Sequence, residues 1–594
     1  MHRTEVKAQL NPEFLRTPES WDSTLPERLW NAGQQQTDEG LILVSRTGQE
    51  TKHTWTEILD RSRRTATILQ QKGVEFGDRV AIVLPTCIEF FDVFFGLQIL
   101  GAIPVPLYPP LRLGKLDIYI GRTIAMLNAV DGAMLISNRR VSKVLGRVLE
   151  GYQPRLGSLN VDSIEFNTAT PIDTWSQTLT SHCLAMAQFS SGTTVAPKPV
   201  GLTHRQVLSN TDIICSVVEG NIGCSWLPLY HDMGLIGCIF PALSKVGTMV
   251  LIAPEDFLRR PSLWLKSISK HKAYISPAPN FAYAYCTQRI KDSELEGLDL
   301  SCWKMALNGA EAVAPKHLRA FIERFETIGF DAKALCPVYG LAEASLGVSF
   351  SSPGSVFTSH HFTREDMQRG QITLSTDDDG VELASVGKAL PCSDIEIRDD
   401  DGVVLPANCI GEIWVQSPSI MKGYLNDAPS SIEDGWLATG DLGFYFEDEL
   451  YIYGRKKDVI VLGGQNHAPQ DLEMAVDGLE GVRTGCTVAV SNVGSDGEQV
   501  FLFVETTTDT PTNPELAELC KQSVLRETGV SCDLVVLLKP GTIPRTSSGK
   551  LRRRETLHLF ETGNLIPPKE TTAIRMAGVL AQSMIGHWKA RWRR

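Results

Sequence analysis

Short apolar runs alternate with longer amphipathic stretches through the N-terminal half of the chain. Residues 79–84 and 103–107 are strand-like runs, and the stretch 87–100 between them has the length and spacing of a helix. The same alternation recurs around 249–253 and 304–309. Strand–helix–strand repeats of this kind predict a mostly parallel sheet that is covered on both faces by helices.

The pattern changes after residue 384. The stretches 395–398, 411–415 and 449–453 alternate apolar and polar residues over a few positions, and Asp/Gly turns separate them. This pattern is typical of an antiparallel, barrel-like unit. Beyond residue 455 the chain mixes short helical and strand-like stretches, which predicts a small α+β unit.

These patterns predict an α/β protein of more than one domain, because single hydrophobic cores seldom exceed about 250–300 residues. We expect a large N-terminal domain (1–454) of mixed, mostly parallel sheets covered by helices, with a β-barrel-like subdomain. A small, mobile α+β domain (455–566) and a basic amphipathic tail (567–594) follow. Such a tail can lie on an anionic membrane, but a loosely docked or disordered terminus is the favoured interpretation.

Composition narrows the class of protein. The chain has 594 residues, 43% of them hydrophobic and 21% charged, which is ordinary globular composition. A formal net charge of −12 argues against nucleic acid as a bulk partner. The 13 cysteines include no C-x-x-C pair and are interpreted as buried thiols of a reducing compartment. No secretory signal or uninterrupted apolar span is visible, so we expect a cytoplasmic enzyme.

A hydroxyl-rich loop is the first candidate for chemistry. It runs from residue 190 to a lysine at 198, and a proline precedes that lysine where the Walker pattern has glycine. Backbone N–H groups and hydroxyls around a mobile lysine suit a polyphosphate. An ordinary Ser/Thr-rich surface loop is the alternative. The candidate phosphate-binding residues are Ser190, Ser191, Gly192, Thr193, Thr194 and Lys198.

Three further motifs carry polar groups suited to a nucleotide. Tyr339 and Glu343 follow a strand-like run, where an aromatic ring can stack on adenine and a carboxylate can bind Mg²⁺ between phosphates. Asp441 ends a Thr-Gly-Asp motif and is suited to a ribose diol, and Lys550 ends a flexible Ser/Gly segment. For each acidic residue alone, a surface salt bridge is the alternative interpretation.

The order and spacing of the four motifs resemble the adenylate-forming (acyl-activating) superfamily over nearly the whole chain. The resemblance implies ATP and Mg²⁺ as cofactors, with Glu343 as the metal ligand and Lys550 bridging the reacting carboxylate and the α-phosphate. It also implies a hinge near Lys457. Val195 departs from the family's loop, which has glycine there. The nucleotide-binding residues that the resemblance adds are Gly309, Ala310, Glu311, Tyr339, Gly340, Leu341, Asp441 and Arg455.

A narrower resemblance is to the fatty acyl-AMP ligases. The segments 226–237, 256–261, 276–283 and 466–473 carry it. It implies His231 as a catalytic gate for the carboxylate, although a satisfied core histidine is the alternative. The alkyl tunnel that it implies is lined by Met233, Gly234, Ile236, Ser276, Ala278 and Phe281.

The same subgroup has an insertion after the Glu343 motif. Gly387 follows Glu343 by 44 positions, and the extra segment, about 351–382, is polar and predicted to be a helix followed by a strand. In the subgroup this insertion braces the small domain and disfavours the CoA-dependent step. An ordinary variable surface loop is the alternative.

The predicted function is activation of a medium- or long-chain fatty acid to acyl-AMP, followed by transfer to an acyl carrier protein or a polyketide synthase carrier domain. A fatty acyl-CoA synthetase is the first alternative. A catalytically silent protein that binds lipid or nucleotide is the second, and it rests on Val195 alone.

Overall fold

The computed structural model describes residues 21–110, 116–165, 168–190, 197–376, 380–426, 428–462, 464–494, 497–508, 513–546 and 549–568, together with Ser583. The predicted loop residues Ser191, Gly192, Thr193 and Thr194, as well as Val195, lie outside the described residues, as does nearly all of the predicted tail.

Helices and strands alternate through the first two thirds of the chain. The helices are α1 (Leu25–Gln34), α2 (Trp55–Gln71), α3 (Ile88–Leu100), α4 (Leu116–Val130), α5 (Arg139–Gly151), α6 (His204–Val217), α7 (Asp232–Gly234), α8 (Phe240–Ser244), α9 (Pro254–Arg259), α10 (Ser262–His271), α11 (Asn280–Arg289), α12 (Pro315–Phe325), α13 (Arg364–Gln368), α14 (Pro469–Met474), α15 (Pro514–Thr528) and α16 (Arg553–Glu561). A π-helical turn, Leu235–Ile239, joins α7 to α8.

The strands are β1 (Gly40–Val44), β2 (Glu50–Thr54), β3 (Arg79–Val83), β4 (Ile103–Pro106), β5 (Met134–Ser137), β6 (Ser158–Asn160), β7 (Leu184–Phe189), β8 (Pro199–Thr203), β9 (Ile222–Ser225), β10 (Thr248–Ile252), β11 (Ile275–Ala278), β12 (Met305–Asn308), β13 (Leu335–Gly340), β14 (Gly347–Phe350), β15 (Ser359–Phe362), β16 (Val381–Ala384), β17 (Lys388–Ala389), β18 (Asp394–Arg398), β19 (Gly411–Gln416), β20 (Ile432–Glu433), β21 (Trp436–Phe446), β22 (Glu449–Arg455), β23 (Ile460–Leu462), β24 (Gln465–His467), β25 (Val482–Gly494), β26 (Gly497–Thr506) and β27 (Leu534–Leu538).

A nine-stranded sheet forms the centre of the molecule, with the order β17-β14-β13-β12-β11-β9-β10-β1-β2. Its strands from β13 to β1 are parallel, and the strands at both edges are antiparallel. A second, parallel sheet has the order β4-β3-β5-β6. The predicted α/β fold with mostly parallel sheets is therefore confirmed.

Helix caps and apolar packing explain why these elements form where they do. Capping boxes at Thr24, Thr54 and Thr203 begin α1, α2 and α6, satisfying backbone N–H groups of their first turns. Helix α3 is apolar on all sides because it packs inside the core, where Phe90 and Phe94 stack with a centroid distance of 5.9 Å. These elements give the sheets rigid, buried supports.

The chain after β17 forms an antiparallel sheet with the order β18-β19-β21-β20, and β22 pairs with the far part of β21. This confirms the predicted antiparallel unit. In the last part of the chain, α14 and α15 pack on the sheet β25-β26-β27 in one apolar cluster, and α16 packs on it in a second, in agreement with the predicted α+β unit.

The segment 351–382 differs from its prediction. A helix followed by a strand was expected, but the order is strand, helix, strand: β15, α13 and β16, with Ser359 paired to Ala384. The prediction was wrong because the first strand is short and partly polar. Its Phe362 is fully buried, and its ring packs edge-on against Phe444 and Tyr451 at 5.2 and 5.4 Å.

Among the helices of the described part of the chain, none has both the length and the apolar character that a membrane span requires.

Candidate active site

A cavity opens at the carboxyl ends of β11, β12 and β13, the edge of a parallel sheet where ligands usually bind. It contains about 840 Å³ of empty space, including its open mouth. Ten residues named from the sequence line it: Ser190, His231, Met233, Ala310, Tyr339, Gly340, Leu341, Glu343, Arg455 and Lys550. The structure thus brings together side chains that are more than 300 positions apart in the sequence.

Two lining residues, Tyr339 and Arg455, are joined through Asp441, which is buried and is not itself part of the lining. Antiparallel pairing of β21 with β22 places Asp441 opposite Arg455, whose Nε lies 2.7 Å from Asp441 Oδ1. The Tyr339 hydroxyl donates to Asp441 Oδ2 at 2.8 Å. Burial and the nearby Asp441 carboxylate raise the pKa of Tyr339, and Asp441 raises the pKa of Arg455. Tyr339 is therefore a neutral donor and Arg455 a fixed cation.

Glu343 lies beside the base of the hydroxyl-rich loop. Its Oε1 accepts a hydrogen bond from the Tyr424 hydroxyl at 3.0 Å, and Lys198 Nζ lies 4.9 Å from the centre of the Tyr424 ring. The backbone N–H of Ser190 donates to the Lys198 carbonyl at 3.2 Å, so the two ends of the loop are closed together. Tyr424 thus links the loop's lysine to the carboxylate of the next motif.

This arrangement fits a magnesium ion that is held mainly by a polyphosphate. Mg²⁺ usually takes one or two protein carboxylates and completes its shell with phosphate oxygens and water. The described residues contain no group of three or more His, Cys, Asp or Glu side chains that could hold a metal ion by themselves. Glu343 would supply one such carboxylate, and Tyr424 lies between it and Lys198, which is not itself in the cavity lining.

His231 and Asp232 form a tight pair at the start of α7. His231 Nδ1 lies 2.5 Å from Asp232 Oδ1, and both side chains are largely buried. Burial opposes ionisation of Asp232, but His231, Lys550 and the N–H of Met233 outweigh it, so the pKa of Asp232 lies below its usual value. Asp232 is ionised and fixes the orientation of the imidazole ring.

Lys550 enters the cavity from the small unit. Burial lowers the pKa of Lys550, and Arg455 lowers it further, while the nearby carboxylates, Asp232 first, oppose these two effects. The same lysine contributes to the low pKa of Asp232. The Lys550 ammonium therefore lines the same cavity as the His231–Asp232 pair and interacts electrostatically with Asp232.

The predicted adenine wall is only partly at the cavity surface. Ala310 lines the cavity with a positive φ of 71°. Gly309 lies behind it, where an added Cβ would come within 2.7 Å of Val338 Cγ2. Glu311 is not in the lining; it accepts the backbone N–H of Phe281 at 2.6 Å, and burial raises the pKa of Glu311.

The apolar arm of the cavity differs from the predicted tunnel. Met233 lines it, but Gly234, Ile236, Ser276, Ala278 and Phe281 do not. Side chains alternate along β11, so the cavity meets Pro277, while the hydroxyl of Ser276 points away and bonds Trp264 Nε1 and the Cys224 carbonyl. On the helical segment, Gly237 shares the face of Met233, four residues away. The apolar lining is Ile214, Met233, Gly237, Pro277, Leu307, Val338, Leu346, Gly347 and Phe350.

Several of these lining residues were not identified as site residues from the sequence. Leu346, Gly347 and Phe350 follow the Glu343 motif closely, and their antiparallel return beside β13 brings them to the cavity. The short spacing after the motif is a signal that could have found them. Tyr424 carries no comparable signal, since its role depends on the bridge between Val200 and the segment that contains it.

The junction between the large and small units lies next to the cavity. The Lys457 carbonyl accepts hydrogen bonds from the Arg554 guanidinium, and Arg553 contacts Asp458 at 3.4 Å. Burial, followed by the charge of Arg455, lowers the pKa of Lys457. Helix α16 therefore holds the connecting segment in place.

The segment 351–382 contacts the small unit. Arg364 Nη1 lies 3.4 Å from Asp471 Oδ2, and Gln368 Nε2 lies 3.4 Å from His467 Nδ1. Met367 belongs to the same buried apolar cluster as Ala468. Burial raises the pKa of Asp471 to about 6, with Arg364 opposing this effect.

Comparison with known proteins gives a consistent family. Residues 30–425 match the family described as AMP-binding enzyme, and residues 457–569 match Disco-interacting protein 2-like, AMP domain. A putative acyl-CoA synthetase of Caulobacter vibrioides is 32% identical over 83% of this chain and 87% of its own length. A 4-hydroxyphenylalkanoate adenylyltransferase of Mycobacterium marinum is 33% identical over 84% of each chain. A solved structure, from a study of fatty acyl-adenylate ligases of E. coli and L. pneumophila, has a TM-score of 0.84 at 31% identity and covers 91% of this chain and 98% of its own.

Proposed function

The chain belongs to the AMP-binding enzyme family and, within it, to the fatty acyl-AMP ligases, and from this premise we propose a two-step reaction. A medium- or long-chain fatty acid reacts with ATP to give acyl-AMP and pyrophosphate. The phosphopantetheine thiol of an acyl carrier protein then attacks the acyl carbonyl, and a thioester forms as AMP and the thiol proton leave. The main support for the proposal is the composition of the cavity. Its polar end is lined by Lys550, Arg455 and Glu343, and its apolar arm is lined by the nonpolar residues given above.

In the proposed first step a carboxylate oxygen attacks the α-phosphorus of ATP, and the bond to the bridging oxygen of pyrophosphate breaks. A carboxylic acid is already ionised at neutral pH, so no general base is needed. Lys550 draws two anions together and stabilises the charge on the transition state. We assign the ribose to Asp441 and Arg455, adenine to Tyr339 and Ala310, the polyphosphate to the 190–198 loop, and the fatty acid carboxylate to the region of His231. Bound Mg²⁺, held by Glu343, would neutralise charge on the leaving pyrophosphate.

For the second step we propose that the small domain (455–566) rotates about a hinge at Lys457. The support is the position of Lys457 at the junction, where the large unit's last strand β22 ends two residues earlier. Contacts of Arg364, Met367 and Gln368 with the small unit oppose that rotation. A carrier protein can offset this cost with its own contacts, whereas free CoA offers few.

The first step has a direct test. Purified protein with Mg²⁺-ATP and dodecanoate is expected to form acyl-AMP and pyrophosphate, because each buried methylene of the chain contributes about 0.8 kcal/mol. Thin-layer separation of the product from labelled fatty acid measures it. Acetate, benzoate, amino acids and a 4-hydroxyphenylalkanoate serve as competitors. Better activation of any of them than of dodecanoate would contradict the proposed substrate class.

The pH dependence of adenylation tests the charge of Lys550. Its pKa is lowered in the folded protein, so the catalytic cation is lost, and the rate falls, at a lower pH than for an exposed lysine with a pKa of about 10.4. In Lys550→Arg the guanidinium stays charged, because its pKa exceeds about 12. We expect this variant to be slower at neutral pH and to lack the alkaline decline. Initial rates of pyrophosphate release measure both profiles, and an unchanged decline in the variant would assign it to another group.

A further inference from the structure

The turn between β13 and β14 contains a strained residue. Ser345 has φ 65° and ψ −57°, and the N–H of Leu346 donates to the Ala344 carbonyl at 2.8 Å. These are the features of a γ-turn in its rare, high-energy form. A non-glycine residue persists in such a conformation only when its surroundings hold it there.

The surroundings of this turn are a buried hydrogen-bond network. Ser345 is fully buried, and its hydroxyl donates to the Ser419 carbonyl at 2.8 Å. The amide of Asn210, which is 1% exposed on α6, accepts the N–H of Gly347 at 3.0 Å and donates to its carbonyl at 2.9 Å. The same amide donates to Ser419 Oγ at 3.2 Å. The residues on both sides of Leu346 are therefore held in place.

The network fixes Leu346 in the apolar arm. Leu346 lines the cavity, and its carbonyl accepts the N–H of Leu341 at 2.9 Å. Its Cδ2 would lie 2.7 Å from a Cβ added at Gly237. The Leu346 side chain thus packs against Gly237 and fills the space that a side chain at position 237 would need, so its size limits the room in the arm here.

The position of the turn relates the arm to the polar end of the cavity. Glu343 lies two residues before Ser345, and its carbonyl accepts the N–H of Met421 at 2.8 Å. Ile214 and Phe350 belong with Leu346 to one apolar cluster between α6 and the sheet. Leu346 therefore lines the apolar part of the same cavity whose polar part contains Glu343.

We propose that Leu346 is a specificity-determining residue, whose side chain limits the room in the arm so that unbranched alkyl chains are admitted and branched or ring-bearing acids are excluded. Asn210 and Ser345 are positioning residues that act through it. This inference rests on the proposed fatty acid adenylation and narrows its substrate class. In a hydrophobic pocket, one methylene more or less changes discrimination by about 10–200-fold, so a change of side-chain size at this position has a measurable effect.

The test compares kcat/KM for hexadecanoate, octanoate, a methyl-branched acid and a phenylalkanoate. In Leu346→Ala we expect the ratio of branched or phenyl acid to hexadecanoate to rise about tenfold or more. In Leu346→Phe we expect kcat/KM for hexadecanoate to fall about tenfold relative to kcat/KM for octanoate. Leu335→Ala is the matched control, because Leu335 is a buried leucine of β13 that does not line the cavity. Its ratios should equal those of the wild type.

Variants of Asn210 and Ser345 distinguish a role in positioning Leu346 from a role in the stability of the fold alone. Asn210→Asp keeps the acceptor for Gly347 but loses both donors, so its substrate ratios should shift as in Leu346→Ala. Ser345→Val should also shift them, since it loses the hydroxyl bond to Ser419 and places a β-branched residue at positive φ. Thermal unfolding of each variant records its stability. A loss of stability with unchanged ratios in Asn210→Asp and Ser345→Val would overturn the positioning role.

Wild-type substrate ratios in both Leu346 variants would overturn the proposal. If those variants do not fold, Gly237→Ala places a methyl group against Leu346, which has to move further into the arm, and should disfavour the branched acid further. If the wild-type protein forms no acyl-AMP at all, the proposed function fails. Displacement of a fluorescent fatty acid by the same four acids then tests Leu346 separately, and equal displacement by all four would overturn its role.

Discussion

Replacing Lys550 with alanine is expected to lower the rate of acyl-AMP formation by about 10²–10³-fold, the usual cost of losing one charge-stabilising contact in a transition state. Lys550 lies near the His231–Asp232 pair and the Arg455–Asp441 pair, where the carboxylate and the α-phosphate are expected to meet. Single-turnover formation of acyl-AMP from labelled ATP measures the loss.

ATP affinity should change little in the same variant. The loop at 190–198, Tyr339 and Asp441 belong to the large unit and remain in place. Lys521→Ala is the control, because Lys521 lies on α15 of the same small unit and contacts the Asp533 carbonyl at 3.4 Å, away from the cavity. Wild-type acyl-AMP formation by Lys550→Ala would show that Lys550 lies outside the site during the reaction.

The fold could be predicted from the sequence because the burial of a strand or helix determines the spacing of its hydrophobic residues. Strands buried on both faces, such as β3 and β10, are nearly continuous apolar runs, whereas β18 alternates polar and apolar residues. The strand β15 shows no such spacing: only Phe362 is buried, and its partners Phe444 and Tyr451 lie far along the chain. Its pairing depends on tertiary contacts that local pattern does not contain.

The polar end of the site was predictable for a different reason. Phosphate and nucleotide chemistry requires particular residue types, so Lys198, Glu343, Asp441 and Lys550 stand out in the sequence even though their roles stay proposals. The apolar arm needs only nonpolar surface, which many segments offer. Whether Ser276 or Pro277 faces the cavity depends on how β11 sits between β9 and β12. A single slip of one residue would exchange them.

The contacts of the segment 351–382 with the small unit are expected to suppress acyl-CoA synthesis from free CoA. If they penalise rotation of the small domain by about 3 kcal/mol, they suppress the competent state by more than a hundredfold. Deleting the segment would relieve these contacts but would also remove the buried Phe362, so substitutions on α13 give a cleaner experiment. The double variant Arg364→Glu, Met367→Asp removes the ion pair with Asp471 and places a charge in the apolar contact with Ala468.

We expect this double variant to adenylate dodecanoate at the wild-type rate and to gain acyl-CoA synthesis from free CoA, by up to about a hundredfold. Chromatographic detection of acyl-CoA measures the gain. Arg369→Glu is the matched control, because Arg369 is an exposed arginine of the same segment that contacts only its own neighbour Asp366, at 4.0 Å, among the ion pairs of the described residues. It should form no more acyl-CoA than the wild type.

Lys457→Pro examines the same rotation from the hinge. Proline fixes φ at its own position and restricts the residue before it, so the junction stiffens. Adenylation should continue, because Lys550 already lies in the cavity, whereas transfer to a carrier protein should cease. A double variant that adenylates normally but still yields no acyl-CoA would place the block in the lack of a CoA pocket. The contacts of α13 with α14 would then have no part in choosing between carrier protein and CoA.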